Sequence, residues 1–153
     1  MELLYFIGLL LWVSYCFAKV EIAIEGEHGW ADDLPTWRLS KEHILSRMLS
    51  GGRELTGYHF WIQTFVFSLL HVVYLFHVPS FAIELQILSF IFALWIIEDF
   101  LWFLLNPAYG IKKFKKEYIW WHERHWWWFA PMEYFTFLPV SIFLYWLSYF
   151  ISL

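Results

Sequence analysis

Two adjacent carboxyl groups, Glu98 and Asp99, interrupt an otherwise apolar and aromatic run, Leu94-Trp95-Ile96-Ile97-Glu98-Asp99-Phe100-Leu101-Trp102. That run ends at Asn106-Pro107. At ~1.5 Å rise per residue the acids lie on the order of 10 Å from the end of a helix. Ionisable groups at such depth in a membrane helix are costly and face a bundle interior or a wet cavity. Their chemistry would be that of a general acid, a general base or a metal ligand. The plainer alternative is hydration of the helix end or an ion pair with a nearby cation. Arg124 is a candidate for that pair, or for binding a phosphate headgroup.

His122 and His125 form the string His-Glu-Arg-His. Three residues apart on a helix, both imidazoles share one face and could bind one ion. The second histidine stands one residue too close for the HExxH pattern of zinc proteases, so that activity is not inferred. His59, with Gln63 four residues on, is a candidate third ligand or proton relay. A histidine bonded to a loop carbonyl is the competing reading. Glu27 and His28 stand among two glycines in Glu25-Gly26-Glu27-His28-Gly29-Trp30, where unusual backbone angles are permitted. They rank ahead of the flanking Glu21, although a polar turn stopped by glycine is the simpler explanation. Glu133 could join the group.

The expected site therefore has Glu98 and Asp99 as catalytic groups and His59, His122, His125, Glu27 and His28 as metal ligands. Mixed imidazole and carboxylate ligation suits zinc or non-haem iron better than calcium or a thiolate centre. Cys16 is the only cysteine, which excludes an intrachain disulfide and a CxxC pair. His71 and His77 fall elsewhere. No histidine lies in the first, third or fourth apolar stretch, so a bis-histidine haem between them is not expected.

The elements that must position these groups follow from composition. The 153 residues are 61% hydrophobic and 16% charged, against about 45–50% and about 25% in soluble domains. Four continuous apolar stretches cover residues 3–20, 57–78, 81–105 and 132–153. Each approaches the ~20 residues that cross a bilayer as a helix. None alternates in polarity as a barrel strand would. The expected fold is a single all-α integral membrane domain with four transmembrane helices, plus interfacial amphipathic helices in the two long loops. Glu2 and the lack of a basic leader favour a retained anchor over a cleaved signal at the N-terminus.

Local residues mark the breaks. Pro79 and Ser80 separate the second and third stretches as a tight hairpin, with Ser80 as the next helix cap. Pro131 stands where a fourth helix can begin, and Pro139 inside it predicts a kink. In the first long loop, Pro35 and Asp33 read as a helix start. Leu39, Ile44, Leu45, Met48 and Leu49 then recur at near-helical spacing until Gly51-Gly52. The second loop carries Trp120, Trp121, Trp126, Trp127 and Trp128, residues that favour the headgroup level.

All ten Lys and Arg fall in or beside these two loops. The positive-inside rule then places both loops in the cytoplasm and both termini outside. Basic residues are few and mixed with acids, so nucleic acid is not an expected partner. The lipid bilayer is, together with a lipid-like substrate. The leading functional reading is a small metal- or His/carboxylate-dependent enzyme acting on that substrate at the cytoplasmic leaflet. A structural subunit of a larger membrane complex is the alternative, and a proton-coupled transporter ranks third.

Overall fold

The computed structural model describes residues 2–151, the side chains of residues 123–125 excepted. The chain is mostly helical, and four of its helices are long and apolar enough to cross a membrane. Helix α1 is Glu2–Glu25, α2 is the short Ile44–Leu49, α3 is Gly57–Leu70, α4 is Phe81–Leu105 and α5 is Met132–Ile151. A 3-10 stretch, His71–Leu75, prolongs α3. Four two-residue strands accompany them: β1 (Arg38–Leu39), β2 (Leu55–Thr56), β3 (Trp126–Trp127) and β4 (Ala130–Pro131).

Helix α4 is the hub, buried along most of its length between α1 and α5. Its start is capped by the Ser80 hydroxyl, which accepts from the Ile83 amide at 3.2 Å. It stops at Asn106, whose backbone turns extended before Pro107, as the proline ring demands. The Asn106 side chain donates to the Gly26 carbonyl at 2.8 Å, tying the ends of α4 and α1 together. Against α5, Ser89 and Ser141 each donate to the other's carbonyl, at 2.8 and 2.7 Å. Small hydroxyl residues allow this close approach of the two backbones. Helix α5 continues through Pro139.

Helix α1 runs past the predicted limit at Val20 to Glu25. Its buried residues are Leu10, Ser14, Ala18, Glu21 and Glu25, a single stripe at helical spacing. The upper part packs Leu10 on Phe90, Ala93 and Leu94, with Val66 and Leu70 of α3 against the same cluster. The lower part packs Ala18 on Trp102 and Phe103, which in turn meet Ile119 and Trp121 of the second loop.

Both long loops depart from the amphipathic helices expected of them. In the first, the chain from Pro35 is extended, and β1 pairs antiparallel with β2 in the register Arg38↔Thr56 and Leu39↔Leu55. Pairing satisfies those backbone groups with a distant segment, and the Arg38 guanidinium locks the arrangement by bonding Glu54 Oε2 at 2.8 Å and the Ala31 carbonyl. Only Ile44–Leu49 is helical, with Ile44 and Met48 exposed. The second loop is a chain of 3-10 turns, Ile111–Lys113, Lys116–Tyr118 and Trp120–His125, followed by the β3–β4 hairpin. Trp121 and Ile119 are buried while Trp127, Trp128 and Phe129 are exposed. The aromatic content thus divides between a plug and an outward-facing tip.

Candidate functional site

Four elements and both loops converge on one cavity of about 430 Å³ at the loop end of the bundle. Helix α1 supplies Glu21 and Glu25, α3 supplies His59, α4 supplies Glu98 and Asp99, and α5 supplies Glu133 and Tyr134. The first loop adds Trp30 and Arg53, and the second adds Trp121 and His122. Adjacent residues of a helix point about 100° apart, so Glu98 and Asp99 serve different neighbours. Glu98 meets the carboxyl of Glu21. Asp99 turns to α5 and the second loop. Its Oδ2 accepts the Tyr134 hydroxyl at 2.5 Å, and its Oδ1 lies 3.5 Å from His122 Nε2.

A second imidazole–carboxylate pair stands across the cavity. His59 Nε2 lies 3.4 Å from Glu25 Oε1, and its Nδ1 is 2.7 Å from the Thr56 hydroxyl. Thr56 is also the N-cap of α3, its oxygen accepting the His59 amide at 3.2 Å. One residue therefore starts the helix and orients the ring that the helix presents. The Glu25 carboxylate is fixed by the Ala31 amide at 2.6 Å. That contact requires the left-handed turn at Trp30 (φ 49°) and Ala31 (φ 53°), an uncommon state for a residue as large as tryptophan.

Trp30 and Arg53 join the two pairs. Trp30 stacks on His59 with centroids 4.3 Å apart, and the Arg53 guanidinium sits 4.7 Å from the Trp30 ring. Arg53 Nη1 donates to His122 Nδ1 at 2.8 Å, and Nη2 lies 3.3 Å from Glu133 Oε1. A guanidinium has no acceptor, so Nδ1 of His122 is the acceptor and Nε2 carries the hydrogen that faces Asp99. Burial pulls the Arg53 pKa down while Glu133 and Asp99 pull it back, and the group remains a cation.

Glycine is required at one closure point. A Cβ on Gly29 would lie 2.5 Å from the Trp121 ring, and the residue has φ 68°. The turn carrying Trp30 can thus sit flat on the plug of the second loop only with no side chain there.

Several polar atoms that line or adjoin the cavity have no partner. Glu98 Oε1, Glu133 Oε2 and the indole nitrogens of Trp95 and Trp102 are buried without a hydrogen bond. Buried polar groups are normally paired, so these unpaired atoms mark where a ligand's polar atoms would fit.

No protein-family model, curated protein or solved structure matches the chain. The site is therefore read from its own chemistry.

Of the residues singled out from sequence, the fold brings Glu98, Asp99, His59 and His122 to the cavity, with Glu133 beside them. The side chain of His125 lies outside the described residues. Glu27 and His28 do not line the cavity. His28 is half exposed and pairs outward, with Nε2 3.0 Å from Asp33 Oδ2. Glu21 and Glu25 take the place expected of them, because α1 continues helically and carries its stripe one turn further. Among the described residues, the group of three or more with ligand atoms within 4.8 Å of one another is His28, Asp32 and Asp33, all exposed. Glu21, Glu25, Glu98 and His59 line the cavity but form no such group.

Arg53 and Tyr134 were not anticipated, since a loop arginine and a tyrosine flanking a span carry no distinctive local pattern. The Glu21/Glu25 stripe was detectable as Ser14, Ala18, Glu21 and Glu25 at spacings of four, three and four. At the other end of the bundle, Glu84 is held by His71 (3.2 Å) and Tyr74 (2.7 Å) rather than left to solvent.

Proposed function

We propose that this chain is an integral membrane protein with both long loops cytoplasmic and both termini outside. We further propose that its cavity is the active site of a small enzyme acting by acid–base chemistry on a lipid-like substrate in the cytoplasmic leaflet. The observation that carries the reading is the unpartnered, buried Glu98 Oε1 beside Glu21, facing a cavity in which Glu25 and Asp99 are held by partners. Asp99 and both histidines are committed to partners, which suits positioning. Glu98 has an oxygen free for a reacting group, which suits proton transfer.

The remaining groups have consistent roles. The His59–Glu25 pair extends from the carboxyl cluster toward the first loop and offers a route for a proton to the surface. The Tyr134–Asp99–His122–Arg53 chain fixes the opposite wall. Phe92 and Phe137, stacked at 5.2 Å, supply an apolar wall between α4 and α5 against which an acyl or isoprenoid chain can lie. The basic loops and the exposed Trp127 and Trp128 suit an anionic headgroup layer at that side.

A metal-dependent form of the same reading, with zinc or iron, would draw on Glu21, Glu25, Glu98 and His59. These supply the carboxylate and imidazole donors that such ions take, and the ion would supply Lewis acidity. It has less support, because the compact donor trio lies outside the cavity at His28, Asp32 and Asp33.

Two measurements test the proposal. Wild-type protein in nanodiscs of extracted lipid should consume a lipid and form a product seen by mass spectrometry. Glu98→Gln and Asp99→Asn should form none while keeping the wild-type elution profile. Full conversion by both variants would refute an acid–base site here. Elemental mass spectrometry on protein purified without chelator or histidine tag tests the metal form. Near-stoichiometric zinc or iron lost in Glu98→Gln would establish it, whereas an ion lost only in Asp33→Asn belongs to the exposed trio.

A further inference from the structure

The geometry points to a substrate that carries an amine or ammonium headgroup. This inference rests on the reading of the cavity as a lipid-like substrate site and names the class of lipid. The first ground is charge. Glu21, Glu25, Glu98, Asp99 and Glu133 all line the cavity, and Arg53 is the one Lys or Arg among the described lining residues. Arg53 is already spent on Glu133, His122 and the Trp30 face. An anionic headgroup would find no free cation there and would meet four further carboxyl groups.

The second ground is the free acceptor. Glu98 is 6% exposed, faces the cavity, and leaves Oε1 without a donor. A protonated amine brings the donor that this atom lacks. The third ground is the wall chemistry. Trp30, Trp95, Trp102 and Trp121 surround the carboxyl groups, and tryptophan faces attract cations once water is excluded. Arg53 over Trp30 shows such a contact already made in this cavity. Carboxyl groups and indole rings together line a cage for a cationic nitrogen, with the apolar Phe92–Phe137 wall left for the chain.

The test compares headgroups on a constant chain. Hexadecylamine, hexadecanol and hexadecyl phosphate are titrated into purified full-length protein in dodecyl maltoside, with intrinsic tryptophan fluorescence as the binding readout. Hexadecylamine should bind at least 10-fold more tightly than either of the others. Glu98→Gln should remove most of that preference, and Glu84→Gln, whose carboxylate lies at the far end with His71 and Tyr74, should keep it. The wild-type ranking needs no variant to fold. Equal affinity for all three, or a preference for the phosphate, would overturn the amine assignment and leave a lipid cavity standing. Saturable binding of none of the three would overturn the lipid-site reading as well.

Discussion

Replacing Arg53 should release the first loop from the bundle. The side chain is 15% exposed and its partner Glu133 is 17% exposed, so the pair is largely withdrawn from water. Removing one member of such a pair leaves the other charge stranded, at a cost of about 3–5 kcal/mol. Loss of the cation over Trp30 adds about 1 kcal/mol. Partial water access to Glu133 brings the pair's share below that range, to about 2 kcal/mol, and the total to about 3 kcal/mol. Arg53 belongs to the first loop and Glu133 to α5, so the loss falls on docking of the loop rather than on the helices. At about 1.4 kcal/mol per tenfold, loop amides should exchange on the order of 100-fold faster in Arg53→Met. The reporters are Ser50 and Gly52, whose amides bond the Ser46 carbonyl at 3.1 and 3.0 Å. Hydrogen exchange by mass spectrometry in lipid nanodiscs measures this. The double variant Arg53→Met/Glu133→Leu removes both charges and should recover most of the protection. Less than about a fivefold change in the single variant, or a double variant as loose as the single, would refute the assigned coupling.

Three further outcomes can be checked independently. Gly57→Ala should lower the melting temperature, because its Cβ would stand 2.5 Å from Thr36 Oγ1 and 2.6 Å from Trp37 Nε1; overpacking of about 1–3 kcal/mol outweighs a propensity gain of about 1 kcal/mol, and a higher melting temperature would contradict this. Ser141→Ala removes one of the two reciprocal serine bonds between α4 and α5 and should cost about 1 kcal/mol in thermal unfolding; an unchanged melting temperature would show the bond to be dispensable. A reporter fused at the C-terminus should read as external, and a cytoplasmic signal would reverse the proposed orientation.

The helices were legible in the sequence because their signals are local and strong. Ser80 and Pro107 bound α4 within one residue of where composition places it. The loops were not, for reasons that are equally physical. From Leu39 to Leu49 the apolar spacing fits a helix, yet Arg38 and Leu39 pair with Thr56 and Leu55, residues too distant for any short window to register. Trp121 and Trp128 have the same side chain and each follows another tryptophan, but one plugs the core and the other is exposed. Only the 3-10 path of the chain between them decides which.

The site was half legible for a related reason. Glu98 and Asp99 announce themselves by interrupting an apolar run, whereas Glu21 and Glu25 end one and so resemble the start of a loop. Their burial depends on α1 continuing with the small residues Ser14 and Ala18 on the same face, which lets it lie close to α4. The resulting bundle is polarised. Toward the α3–α4 hairpin its contacts are apolar packing and matched polar groups, Ser89 with Ser141 and Glu84 with His71 and Tyr74. Toward the long loops it concentrates carboxyl groups beyond what Arg53 can balance. A network kept only for packing would be expected to satisfy its members, since a half-paired buried group costs more than an apolar one. Ser89 and Ser141 meet that standard, and Glu98 with its free oxygen does not. Within α4 the chain thus pairs Ser89 away from the cavity and leaves atoms of Trp95, Glu98 and Trp102 unpaired where the cavity can supply partners.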